Sequence, residues 1–259
     1  MTATLFETPA DHPRGVVLVS HGLNTRPDVM DDLIGVLVAQ GFHCQRISLY
    51  RDGPTHRASP SVIVDGWLGA VAEAHAEAAR RYPGLPLHCL GFSIGALVSI
   101  RYLDLQPAPP FQRAFLLAPP VALTRPARLV RALTPLRRLG AVLPSAAPRA
   151  VRARRGTPLA EYAALLETIA AVEHLRHAEN LAAVPTRVVL DERDELVSLP
   201  GVARWVRANG LRSWTVEPLA DRRSAGRTYK HLIVLEDAIG TTAWTRLTGA
   251  IVAHFAQVG

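Results

Sequence analysis

The chain has 259 residues, 49% of them hydrophobic and 20% charged, which suits one sizeable folded core and excludes a disordered protein. The start MTATLFETPADHPRG lacks the basic and apolar regions of a secretory signal, and no apolar run approaches a membrane span, so a cytoplasmic protein is expected. The net charge of +7 is almost all arginine, with Lys230 the only lysine, and neither zinc-finger spacing nor aromatics interleaved with a basic strand accompany it, so no nucleic-acid partner is expected.

Along the chain, apolar runs alternate with helical periodicity, the pattern of a mostly parallel sheet with helices on both faces. GVVLVS (15–20) reads as a buried strand, followed by a helix that places Val29, Met30, Leu33 and Leu37 on one side and stops at Gly41. FHCQRISLY is the next strand, a long helix covers about 62–82, and PLHCLGF is a strand that leads to Ser93 and a helix running towards Leu105. RAFLLAP (113–119), TRVVL (186–190) and SWTVEPL (213–219) are further strands, and a helix over about 241–255 closes the series. Cys44 and Cys89 both fall in strand-like runs, so buried reduced thiols are expected rather than a disulfide. Trp67, Trp205, Trp214, Trp244 and Phe92 lie in helix, strand or elbow positions and are assigned to packing.

Between Pro119 and Val184 the alternation stops, and the segment reads as helical, proline-containing and without a strand. This divides the chain into a core of residues 1–118 and 184–259 and a helical cap of 119–183, standing over the carboxyl ends of the strands where open α/β sheets bind ligands. Within it, Thr157 and Pro158 start a helix that continues to about Asn180. From Val121 to Ala160 there are nine arginines and no acidic residue, with Leu129, Leu133 and Leu136 on one face and Pro135 interrupting the helix. A solvated cap exterior is preferred here over contact with an anionic lipid surface. His174 and His177 share a helix near Glu173, but the spacing is not that of zincins and no third ligand cluster is evident, so no metal is assigned.

The chemistry centres on GFSIG (91–95). A strained strand-to-helix turn that holds Ser93 out at the sheet edge leaves no room for side chains at the flanking positions, which Gly91 and Gly95 satisfy. A serine hydroxyl needs a base to take its proton, and the base needs a carboxylate to fix its tautomer. Downstream, VVLDERDELVSLP offers Asp191, Glu192, Asp194 and Glu195 after a strand, and YKHLIVL offers His231 in a loop before the last helix. The developing oxyanion needs two backbone N–H donors: Ile94 follows the serine, and Gly22 in SHGLN lets the chain turn so that the Leu23 N–H faces inward. His21 is read as a structural hydrogen-bonding residue of that loop.

With these pieces the chain resembles the α/β-hydrolase superfamily from about Val16 to Phe255, and within it the small bacterial carboxylesterases and monoacylglycerol-lipase-like serine hydrolases, with their HG oxyanion loop, G-x-S-x-G elbow and short helical cap. The resemblance implies an α/β-hydrolase fold and a cofactor-free serine esterase or lipase acting on small-molecule carboxylic esters, with Ser93 as nucleophile, Asp194 as acid, His231 as base and Gly22 with Leu23 in the oxyanion loop. The superfamily often has glycine three residues before the acid, where this chain has Asp191, so Asp191 stands as the alternative acid. Lys230 stands before His231 where such enzymes commonly carry a small residue. Serine at the elbow argues against dehalogenase and epoxide-hydrolase relatives, which would carry aspartate. An acyltransferase or thioesterase with the same triad, or an inactive scaffold binding a small hydrophobic ligand, are the alternatives.

Overall fold

A computed structural model describes residues 3–50, 55–145, 147–219 and 229–257. In chain order the core elements are β1 (Ala3–Phe6), β2 (Gly15–Ser20), α1 (Asp31–Ala39), β3 (Phe42–Ile47), α2 (Pro60–Arg81), β4 (Leu87–Phe92), α3 (Ile94–Leu105) and β5 (Arg113–Leu117). The segment that follows contains α4 (Val130–Leu133), β6 (Val142–Pro144), β7 (Gly156–Pro158), α5 (Leu159–Glu173) and α6 (Ala178–Ala183). The chain then returns to the core with β8 (Thr186–Leu190), α7 (Leu199–Ala208), β9 (Trp214–Pro218), α8 (Glu236–Ile239) and α9 (Thr241–Phe255).

The main sheet runs β1-β3-β2-β4-β5-β8-β9, antiparallel only at the β1–β3 edge. Every residue of β2 and β5 is buried, as expected of central parallel strands covered on both faces. The register aligns Ser20 with Gly91, Phe92 with Leu117 and Leu117 with Val189. This brings the carboxyl ends of β2, β4, β5 and β8 to one edge, so the loops carrying Gly22, Ser93 and Asp194 open on the same side. Val29, Met30, Leu33 and Leu37 are all buried beneath the sheet's first helix layer, and Gly41 ends that stretch with φ +89°. The four tryptophans are buried, Cys44 and Cys89 are buried free thiols, and burial pushes the Cys89 thiol up to about 12.

Three features depart from the sequence expectation. The edge strand β1 is too short, and too weakly patterned in ATLF, to stand out before its partner is known. The segment expected to lack strands contains the antiparallel hairpin β6–β7, where a Cβ on Gly156 would lie 2.6 Å from Val142 Cγ1 and 2.7 Å from the Leu143 carbonyl, so glycine permits the close approach. Thr157 and Pro158 belong to β7, and the helix begins at Leu159. That helix also stops at Glu173 instead of reaching Asn180, where the buried Asp104 carboxylate takes the Arg176 and His177 N–H groups at 2.6 and 3.0 Å, groups that a continuing helix would bond to its own carbonyls.

The segment between β5 and β8 is tied to the loops after β8 and β2. Thr124 N–H donates to Leu196 O (2.9 Å), Thr124 Oγ1 donates to Glu195 O (2.7 Å), and Ser198 N–H donates to Ala122 O (2.8 Å), tying the start of the cap to the loop after β8. At the other end, Arg26 N–H donates to Val151 O (2.8 Å) and Ala153 N–H to Asn24 O (3.0 Å). Between these anchors the limb around α4 is exposed: Leu129 is 70% and Leu139 79% accessible.

Candidate active site

Ser93 sits at the N-cap of α3 with φ 51° and ψ −118°, a strained geometry for a residue with a side chain. Its N–H is held by Leu117 O at 2.8 Å, so β5 fixes the turn. The flanking glycines are required sterically: a Cβ on Gly91 would lie 2.6 Å from Ala96 Cα, and one on Gly95 would lie 2.6 Å from Ser20 Oγ and 2.7 Å from the His21 carbonyl oxygen.

Ser93 Oγ lies 2.8 Å from His231 Nε2, and His231 Nδ1 lies 2.7 Å from Asp194 Oδ2. A carboxylate only accepts, so Nδ1 carries the hydrogen and Nε2 presents its lone pair to the serine hydroxyl. Asp194 Oδ1 meanwhile accepts the Leu196 and Val197 N–H groups at 2.8 and 2.9 Å, which fixes the carboxylate plane. Of the two candidate acids, the partner of His231 is Asp194; Asp191 accepts the Arg193 N–H at 2.8 Å within its own turn. Phe92 is buried with its ring 5.3 Å from the His231 ring, and it borders the cavity as well as packing beneath Gly22.

The loop after β2 has a defined polarity. The Gly22 carbonyl accepts from Thr25 Oγ1 at 2.8 Å and from Thr25 N–H at 3.3 Å, and lies 2.8 Å from His21 Nδ1. His21 Nε2 accepts the Leu49 N–H at 3.0 Å, so Nδ1 carries the hydrogen and donates to Gly22. Burial pushes His21 down to about 4, keeping the ring neutral and this tautomer in place. In a trans peptide the N–H points opposite to the carbonyl, so anchoring Gly22 O in the core turns the Leu23 N–H away from it. Ile94, the first residue of α3, has no intrahelical acceptor for its N–H. Gly22, Leu23, Ser93, Ile94 and His231 all border one cavity of about 780 Å³.

The rest of that cavity is mostly apolar, with Leu129, Val130, Leu133, Leu143, Val151 and Leu165 supplied by the cap segment. Among the described residues no arginine borders it. Among the described residues Glu195 is the only acidic residue on its wall, and its carboxylate accepts the Lys230 N–H at 3.0 Å and the His231 N–H at 3.3 Å. The sequence presented Glu195 only as one of four carboxylates, because its partners are backbone groups 35 and 36 residues away. His174 and His177 lie at the α5–α6 break with His177 Nδ1 2.9 Å from Glu179, and no group of three metal-ligating side chains occurs among the described residues. Among those residues no helix is long and apolar enough to cross a membrane.

The family model Hydrolase_4, described as serine aminopeptidase S33, matches residues 11–217. The chain belongs to this family. As a member of Hydrolase_4 it has the α/β-hydrolase fold, and the match covers Gly22, Ser93 and Asp194 and ends before His231. No curated protein matches it. Among solved structures it is similar to a soluble variant of monoglyceride lipase from Saccharomyces cerevisiae (10% identity, TM-score 0.75, covering 98% of this chain and 90% of that one). It is also similar to the monoacylglycerol lipase of Paleococcus ferrophilus (16%, 0.68, 98% and 97%) and to a carboxyl esterase from Bacillus coagulans (13%, 0.65, 97% and 92%).

Proposed function

We propose that this Hydrolase_4 member is a serine esterase that cleaves carboxylic esters with an apolar acyl group, monoacylglycerols among them, through an acyl-enzyme on Ser93. The observation that carries this reading is the continuous Ser93–His231–Asp194 relay, at 2.8 and 2.7 Å, opening at the floor of an apolar cavity of about 780 Å³. A cavity of this size falls in the range that encloses a drug-sized ligand. Ser93 Oγ attacks the ester carbonyl as its proton passes to His231 Nε2, and Asp194 stabilises the imidazolium. The oxyanion accepts the Leu23 and Ile94 N–H groups, each such donor being worth about 3 kcal/mol in the transition state. Collapse expels the alkoxide with the proton from His231, and water, deprotonated by the same nitrogen, then releases the acid. The chemistry needs no cofactor.

The family's description raises peptide hydrolysis from an N-terminus as a competing activity. An α-ammonium group needs a carboxylate within reach, and among the described residues the one carboxylate on the cavity wall is already committed to two N–H groups of the His231 loop. This favours esters. Two buried free thiols accord with a cytoplasmic setting for the enzyme.

The outer face of the cap supports an ester met at a lipid surface. Among the described residues, the limb that carries Arg131, Arg137 and Arg138 exposes Leu136, Leu139 and Val142, none of which borders the cavity, besides Leu129 and Leu133 at the cavity's rim. A solvated exterior would not need apolar side chains turned outward, whereas an anionic interface takes up the leucines and pairs with the arginines. Sedimentation with anionic and zwitterionic vesicles at low salt tests this: retention in the anionic pellet is expected, and its absence sinks the lipid contact.

The main reading is tested with p-nitrophenyl esters from acetate to palmitate, wild type beside Ser93→Ala. Turnover by the wild type and a loss of several orders of magnitude in the variant are expected. Equal inactivity towards every ester would move the scaffold and acyltransferase alternatives to the front.

A further inference from the structure

The oxyanion loop is held on one side by the core and on the other by the cap. The cap segment Val151–Arg154 runs antiparallel to Asn24–Arg26, with Thr25 and Arg152 paired as bridge partners. Asn24 extends this pairing with its side chain: Asn24 Oδ1 accepts the Arg154 N–H at 3.0 Å and Asn24 Nδ2 donates to Arg154 O at 3.1 Å. The carboxamide thus occupies the place of one more peptide group in a two-stranded ladder. Asn24 is 2% exposed and has φ 54°, a conformation that asparagine tolerates better than most side chains.

Arg154 is itself fixed. Its guanidinium donates to Glu161 Oε2 at 2.6 Å and lies 5.2 Å from the Tyr50 ring centre, while Tyr50 Oη donates to Thr25 O at 2.9 Å. Glu161, 2% exposed, also accepts from Thr55 Oγ1 at 2.6 Å. The circuit Asn24–Arg154–Tyr50–Thr25 therefore closes on the loop from which it started.

We propose that Asn24 is a positioning residue for the hydrolytic reaction, locking the Leu23 N–H in its oxyanion-binding direction by joining the loop to cap residue Arg154. This rests on the esterase reading and adds to it the dependence of the oxyanion hole on the cap. The core contacts fix the carbonyl end of the Gly22–Leu23 peptide, and the chain that follows, through the Leu23 and Asn24 dihedrals, sets where its N–H end is carried. The Asn24 clamp fixes the far side, so that the donor costs no reorganisation when charge develops.

The test compares wild type, Ser93→Ala and Asn24→Gly, because glycine keeps the positive φ and deletes only the carboxamide. For p-nitrophenyl butyrate, Asn24→Gly lowers kcat about ten- to a hundredfold, below the range for deleting a donor outright, with KM within about threefold. A boronic acid that forms a tetrahedral adduct on Ser93 loses affinity in the same proportion as kcat/KM. A folded Asn24→Gly with wild-type kcat and wild-type boronate affinity overturns the proposal and leaves the esterase reading intact; a wild type inert towards every ester overturns both. Should Asn24→Gly not fold, hydrogen exchange on the wild type decides. Boronate binding then protects residues 151–154 together with 22–26, and protection confined to 22–26 overturns the proposal.

Discussion

Glu195 accepts the main-chain N–H of His231 at 3.3 Å while its neighbour Asp194 takes the imidazole of the same residue at 2.7 Å. Two consecutive carboxylates thus hold one histidine, the first by its ring and the second by its backbone. Glu195 also takes the Lys230 N–H at 3.0 Å, so one side chain holds two consecutive peptide groups of the loop before α8. Glu195→Ala leaves both N–H groups without this acceptor, a loss of about 1–3 kcal/mol in local stability. The expected result is a lowered melting temperature and a kcat reduced about tenfold as His231 strays from Ser93. Glu195→Gln, able to accept only through its one amide oxygen, falls between the alanine variant and wild type in both measurements.

The acid is assigned by comparing two substitutions. Asp194→Asn turns the partner of His231 Nδ1 into a group that can donate, favouring the wrong tautomer, and a fall in kcat of about 10³–10⁴ is expected. Asp191→Asn, where the carboxylate caps its own turn through Arg193 N–H, leaves kcat within about threefold. Steady-state kinetics on one ester checks both; equal losses would mean that Asp191 shares the role.

The elbow glycines give a prediction about folding. A Cβ at position 91 meets the Ala96 backbone at 2.6 Å, and one at position 95 meets the Ser20 and His21 carbonyl oxygens at 2.7 Å. Backbone cannot swing aside as a flexible side chain can, so Gly91→Ala and Gly95→Ala are expected to cost about 3 kcal/mol or more each. Urea denaturation of the purified variants measures the loss. Gly69→Ala in α2, where nothing lies within 4 Å of the added carbon, serves as the control and is expected to be neutral or slightly stabilising.

These residues also mark how far the sequence could be read. Ser93, Gly91 and Gly95 were legible because their demands are local: one turn, two close approaches and a helix start within five residues. Asp194 and His231 were legible as candidates by their order along the chain, since the proposed reaction needs an acid and then a base after particular strands. Asn24 and Glu195 were not, because the groups they bind are backbone atoms of distant segments, Arg154 standing 130 residues from Asn24. The strand β1 and the hairpin β6–β7 escaped for the same reason, since a strand of three or four residues is defined by its partner more than by its own pattern. The break after Glu173 was invisible because Asp104, which takes the N–H groups there, belongs to another helix.

Three buried histidines away from the reacting atoms set an acid limit on stability. Burial pushes His21, His88 and His254 each down to about 4, and His88 has no hydrogen-bond partner on either ring nitrogen among the described residues. Unfolded, each would titrate near 6.5, so between about pH 4 and 6.5 the unfolded chain binds protons that the folded chain does not. Their stabilising contribution is therefore complete above pH 6.5 and is lost as the pH falls towards 4. Each proton taken up on unfolding changes stability by about 1.4 kcal/mol per pH unit. The urea midpoint is expected to fall steeply from pH 7 to pH 5. His88→Leu, which removes one titrating ring from a site packed by Phe42 and Phe255, flattens that slope by close to one proton. A slope unchanged in His88→Leu would place the acid sensitivity in the carboxylates instead.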